Sequence, residues 1–233
     1  MSRRSEITRK ASTQSIAAPR ARALATEGGD RQSYHVGNLR ESLIREALSI
    51  LQEGDGLQAL SLRKVAAASG VSHTAAYRHF DDKNALLAAV AEEGFRLLYD
   101  YQREVVAEAG DDLTERFLNL GWLYVKFTIE YPQHARIMFG GAGLEFKAYP
   151  ALVAAAAKTF RQLLEVVRRG QERGIIAAGS SKHLALAAWS IVHGVAMLVL
   201  DGQIRLRGDA ADIEQTVKSV ISTLFHGLAA RPA

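Results

Sequence analysis

The chain has 233 residues, 48% of them hydrophobic and 23% charged, enough to bury a sizeable core in one or two domains. It contains no cysteine, which excludes disulfides and thiolate metal sites and points to a reducing cytoplasm. The net charge of +4 is unevenly placed: residues 1–36 hold seven Arg and Lys against Glu6, Glu27 and Asp30, and the rest of the chain is balanced.

Residues 1–36 are rich in Ser, Thr, Ala and Arg and poor in large apolar side chains, a composition that cannot offset the entropy of ordering. The segment reads as a disordered basic tail, either a solvated extension or an arm that touches phosphates or a minor groove. Its first residues, MSRRSEITRKASTQ, are basic but lack the apolar run of a secretory signal. Prolines occur only at 19, 132, 150 and 232, so nothing between 20 and 131 forbids helix on that ground. Leu39, Leu43, Ala47 and Ile50/Leu51 recur at helical spacing and predict a first amphipathic helix, closed by the glycines of EGDG at 53–56. A short second helix starts at Ser61, a suitable N-cap, carries Leu62, Val65 and Ala66, and stops at Gly70. A third, capped by Ser72, is short, polar and aromatic. A fourth runs from Asp82 through Leu86, Leu87 and Val90 into Tyr99.

Longer pieces follow. Residues 112–130 and 133–139 read as helices, the second ending in GGAG at 140–143, and Pro150 opens another to about Arg173. Stretches 180–200 and 209–228 complete the set. The run from Leu184 to Leu200 is apolar but short for a membrane span and contains Ser190 and His193, so it reads as a core or interface helix rather than a membrane segment. No period-two strands and no internal repeat are present. The expected class is all-α: an N-terminal three-helix unit over 37–85 and a larger helical body over 86–229.

Two short helices joined by a tight glycine turn suit a helix-turn-helix over about 61–80, with the second helix in the major groove. At about 100° per residue, Ala76 and Phe80 share the inward face with Val71, whereas Thr74 and Arg78 point outward beside Ala75 and Tyr77. His73 and His79 lie near the boundaries. The outward set offers a hydroxyl and a methyl for base edges, and a guanidinium and a phenol for phosphates or bases. Lys83, at the first position of the fourth helix, opposes the helix dipole at a cost of a few tenths of a kcal/mol. Its placement makes sense if a phosphate docks there.

The segment SLRKVAAASGVSHTAAYRHFDDKNALLAAV resembles the DNA-binding domain of the TetR family of bacterial transcriptional repressors. The resemblance rests on Ser61, Val65-Ala66, Gly70-Val71-Ser72, Tyr77-Arg78-His79-Phe80, Lys83 and Leu86, and covers about 50 residues of the chain. It implies a DNA-binding set of Ser61, Ser72, His73, Thr74, Ala75, Tyr77, Arg78, His79 and Lys83. Within it, Ser61, Tyr77, His79 and Lys83 would touch phosphates and His73, Thr74 and Ala75 the bases or groove; Arg78 would do either. A second, narrower resemblance lies in Trp189, His193 and Gly194, which are similar to a Trp-His-Gly regulatory domain found in one subgroup of that family. It implies that the last two long helices form a four-helix interface in a homodimer, while earlier helices enclose a pocket for a small, apolar effector. Trp122, Phe127, Met138, Phe139, Phe160, Trp189, His193 and Met197 are the candidates to line it, and each is equally explicable as plain core.

The reading that follows is a repressor that binds a palindromic operator on double-stranded DNA as a homodimer and is released by its effector. A non-specific nucleoid protein is the alternative suggested by the basic tail, although the neutral 37–87 region argues for positioned contacts instead. An enzyme is disfavoured, since HExxH, phosphate-loop and nucleophile-elbow patterns are absent and the seven histidines form no metal-ligand cluster in sequence. No cofactor or metal is expected. If Tyr77 is exposed and faces DNA, Tyr77→Ala weakens DNA binding by about 1–3 kcal/mol and leaves the melting temperature unchanged. A large thermal loss, measured by circular dichroism, would identify it as core.

Overall fold

A computed structural model describes residues 35–53, 56–139 and 143–228. Ten α-helices are found among them: α1 (His35–Gln52), α2 (Gly56–Ala59), α3 (Leu62–Ala68), α4 (His73–Tyr77), α5 (Lys83–Glu108), α6 (Leu113–Glu130), α7 (Pro132–Phe139), α8 (Pro150–Glu172), α9 (Ser181–Leu200) and α10 (Ala210–Leu228). A 3-10 turn, Phe146–Ala148, precedes α8. The all-α expectation holds. The expected tail lies outside the described residues, except that α1 already begins at His35.

Helix starts follow the capping chemistry of the sequence. The Ser61 and Ser72 hydroxyls accept the backbone N–H groups of Lys64 (3.1 Å) and Ala75 (3.2 Å). Asp82 and Asp112 do the same for Ala85 (2.7 Å) and Glu115 (3.0 Å). Ser180 caps α9, and Asp209 receives the N–H groups of Ala211 and Asp212 at the start of α10. Each such oxygen satisfies a donor that the first turn leaves unpaired. The turn between α3 and α4 rests on Gly70 at φ +68°, a left-handed conformation that a side chain would strain. There the Val71 N–H closes back on Ala66 O at 3.0 Å, which sets the two short helices at their angle.

Helices α1, α3 and α4 form the N-terminal unit around Leu43, Ala47, Val65, Ala66, Ala76 and Phe80, all buried. α5 departs from expectation, since it continues past Tyr99 to Glu108 as one helix of 26 residues. Its first turns contribute Leu86, Leu87 and Val90 to the N-terminal core, and its remainder packs against α6, α7 and α8. The boundary expected at 85/86 therefore falls inside a continuous helix, and one hydrophobic cluster runs from Leu43 to Phe225. Polar contacts reinforce the junction. Glu92, buried on α5, pairs with Arg96 at 2.5 Å and Arg40 of α1 at 3.8 Å, and the Arg40 guanidinium also lies 5.6 Å over the Phe80 ring.

In the body, α6 is flanked by α5, α8, α9 and α10. Leu120, Leu123, Val125 and Phe127 on it are buried, consistent with its central place. Phe127 is 1% exposed and stacks on Tyr131 with ring centroids 5.0 Å apart. Truncating a fully enclosed phenyl ring removes its transfer energy and leaves a void. Phe127→Ala should thus lower unfolding stability by about 3–5 kcal/mol, readable as a lower urea midpoint at unchanged slope.

Candidate nucleic-acid interface and internal cavity

α4 is five residues long, and its inward face is settled by packing: Ala76 is fully buried, and Phe80, just beyond the helix, is nearly so. His73, Thr74, Tyr77 and Arg78 are exposed, with Tyr77 at 45%, while Ala75 and His79 are half-buried. The His73 and Tyr77 rings contact each other at 4.5 Å, one turn apart. This pre-orders the phenol and imidazole along the outer surface. Ser61 and Ser72 are exposed at the starts of α3 and α4 with their oxygens engaged as caps. The hydroxyl hydrogens remain available as donors. Lys83 is half-buried, and its ammonium donates to the carbonyl of Leu57 in α2. That bond supplies a structural reason for a cation at this helix start, one that the sequence pattern hides because α2 has only four residues. An ammonium carries three donors, so a phosphate contact stays open to it.

Between α5, α6, α7, α8, α9 and α10 lies a cavity of about 510 Å³. On α6 its wall is the stripe Phe117, Leu120, Gly121 and Tyr124; α5 adds Phe95, Leu98 and Gln102; the 3-10 turn adds Phe146. Of the eight side chains singled out for a pocket, Met138, Phe139, Phe160, Trp189 and His193 line it. Trp122, Phe127 and Met197 do not. Trp122 stands about 200° round the helix from Tyr124 and is core. Phe127 and Met197 follow Tyr124 and His193 by one turn on their helices, beyond the end of the cavity, and Phe127 is committed to Tyr131. Sequence reasoning missed Tyr124 and Gln102; the signal for Gln102 is a polar residue in register with the apolar positions Phe95 and Leu98.

Polar groups are few. The Tyr124 hydroxyl and His193 Nδ1 are 2.9 Å apart. Burial raises the pKa of Tyr124 and lowers that of His193. Gln102 spends its amide N–H on Leu120 O at 3.1 Å, and Thr159 Oγ1 lies 3.1 Å from both Phe95 O and Ala155 O. His193 rests in a ring cluster, with Phe139 at 5.1 Å and Trp189 at 5.3 Å.

An imidazole whose pKa is lowered by folding binds protons more readily in the unfolded chain, so acid favours unfolding. The stability held by neutral His193 is complete above the ordinary value of 6.5 and is lost as pH falls from there towards the lowered folded value. The melting temperature of His193→Phe should accordingly decline less than that of the parent between about pH 7 and pH 5. Parallel declines in differential scanning fluorimetry would show that this imidazole does not titrate differently on folding.

Residues 43–90 match the family described as bacterial regulatory proteins, tetR family, and residues 117–224 match the tetracyclin repressor-like C-terminal domain. No curated protein matches the chain. Among solved structures, a protein of unknown function from Rhodococcus sp. RHA1 is 35% identical, with 85% of this chain and 99% of that one covered and a TM-score of 0.72. The fatty acid degradation regulator FadR of Bacillus halodurans is 20% identical over 82% and 97% of the two chains, with a TM-score of 0.64. The TetR family transcriptional regulator PfmR of Thermus thermophilus is 19% identical over 79% and 97%, with a TM-score of 0.61. With a helix-turn-helix DNA-binding unit at one end of α5, a helical regulatory body along the rest of it, and a family match in each, this chain belongs to the TetR family of transcriptional regulators.

Proposed function

We propose that the chain is a cytoplasmic, ligand-released repressor that binds a palindromic operator as a homodimer. The observation that carries this reading is the double duty of α5. Leu86, Leu87 and Val90 at its start belong to the core that seats the recognition helix, and Phe95, Leu98 and Gln102 further along it line the cavity. A ligand that displaces the cavity wall acts on the same rigid element that sets the pose of α4. Effector binding and operator binding then oppose each other through one coupling free energy, reciprocally. The DNA contacts in this reading are Ser61, Ser72, His73, Thr74, Ala75, Tyr77, Arg78 and His79, with Lys83 in a shared structural role.

Dimerisation is supported by α9. One face of this helix, Ala185, Ala188, Val192 and Ala196, is buried. A second apolar stripe comprises Leu184, Ala187, Ile191, Val195 and Leu198, and Ile191 and Leu198 are 44% and 38% exposed. α10 adds Val220, 41% exposed. An apolar stripe of this extent on a twofold-symmetric reader of two half-sites suits a self-complementary interface. By length and composition α9 would also pass as a membrane span, but its buried face packs on α6 and α8.

The test combines DNA and assembly. Full-length protein should retard a fragment from beside its own gene in excess random competitor, and Ile191→Lys should sediment as a monomer and lose at least about tenfold in operator affinity. Equal retention of random DNA would favour a non-specific binder, and an unaltered sedimentation coefficient would remove α9 from the interface.

A further inference from the structure

We propose that the ligand of the internal cavity is an uncharged molecule with an apolar, partly aromatic skeleton of roughly 15–20 non-hydrogen atoms and one carbonyl-type oxygen that accepts a hydrogen bond from Nε2 of His193. This rests on the reading of the cavity as the effector site and specifies what that site selects.

The absence of charge comes from the wall. Among the described residues, no Lys, Arg, Asp or Glu side chain lines the cavity, so a carboxylate or ammonium brought inside would lose its water and gain no counter-ion, which strongly disfavours it. Gln102 adds to the discrimination. One of its two N–H donors is spent on Leu120 O, and the neutral amide that remains offers no counter-charge to an anion.

The demand for an acceptor follows from the direction of the hydrogen bonds. A phenol is a stronger hydrogen-bond donor than a neutral imidazole N–H, and an imidazole nitrogen is a better acceptor than a phenol oxygen. Tyr124 therefore turns its hydrogen to His193 Nδ1, 2.9 Å away. A neutral imidazole that accepts at Nδ1 carries its hydrogen on Nε2. Burial of His193 favours that neutral form. Nε2 has no hydrogen-bond partner among the described residues, and the ring lies on the cavity wall. The Tyr124–His193 bond thus leaves Nε2 as a donor, polarised by the bond that Nδ1 accepts. The Phe139 and Trp189 rings lie 5.1 and 5.3 Å from the His193 ring, centroid to centroid, and both line the cavity, which favours an aromatic portion in the ligand.

Three probes on one skeleton separate these demands: octanophenone, octylbenzene and phenyloctanoate, titrated into the full-length protein at about pH 7.5, well above the ordinary histidine value. The readouts are tryptophan fluorescence and thermal shift. Octanophenone should bind, octylbenzene should bind about five- to tenfold more weakly for want of one hydrogen bond, and phenyloctanoate should bind at least about tenfold more weakly than the ketone. His193→Phe should keep octylbenzene binding and abolish the preference for the ketone. His193→Gln, which restores an N–H donor, should recover part of it. Phenyloctanoate binding as tightly as the ketone, or a ketone preference that survives His193→Phe, would overturn the inference while leaving the effector site in place. Failure of all three probes to bind would overturn the effector-site reading, and the inference with it.

Discussion

Everything in this molecule depends on α5 staying one unbroken helix. At about 1.5 Å per residue, 26 residues span roughly 39 Å, enough to enter both the recognition unit and the regulatory body. It has no proline and a single glycine, Gly94, pressed against Met138 of α7. The helix is pinned near its start by hydrophobic burial of Leu86, Leu87 and Val90 and by the Arg40–Glu92–Arg96 cluster. Because Arg40 also covers the Phe80 ring, the inner anchor of the recognition element and the anchor of the long helix share one side chain. The residues that seat the recognition element and those that line the cavity are thus carried on one continuous helix.

The recognition unit is legible in the sequence because its determinants are local. Caps at Ser61 and Ser72, the positive-φ glycine at 70 and the period of Ala76 and Phe80 all act within a few residues. The cavity is only half legible, since its wall draws on six helices and a 3-10 turn that are far apart in the chain. Apolar bulk and helical period pick out Phe139, Phe160 and Trp189, but cannot tell which turn of α6 and α9 the cavity reaches. Hence Trp122, Phe127 and Met197 look like lining in the sequence and prove to be core or to lie beyond the cavity. The length of α5 is obscured for another reason. From Asp100 to Glu104 the chain is polar apart from Tyr101, and the apolar pattern is interrupted there because the buried position is held by Gln102.

α9 combines two apolar faces with opposite fates. One presses small residues onto α6 and α8 and brings Trp189 and His193 to the cavity; the other is left uncovered in the single chain. Small residues on the inner face let the helix approach closely, so the bulkier Trp189 and His193 stand proud and shape the cavity. A helix committed on both sides has little freedom to adjust. Under the dimer reading, a shift imposed from the cavity would be met by the partner subunit.

The brevity of α4 sets a limit on addressing. Five helical residues make about one and a half turns, and a helix of that length in a major groove can present three or four side chains to base edges, enough to specify about three or four base pairs. A word of that length recurs about once in every hundred random positions or so, against roughly a million or more competing sites in a genome. A single copy of this reader therefore holds too little information to name one gene. Under the proposed homodimer, reading the word twice at fixed spacing squares its rarity, and in that sense the apolar stripe on α9 is as much a part of the address as Thr74 or Arg78.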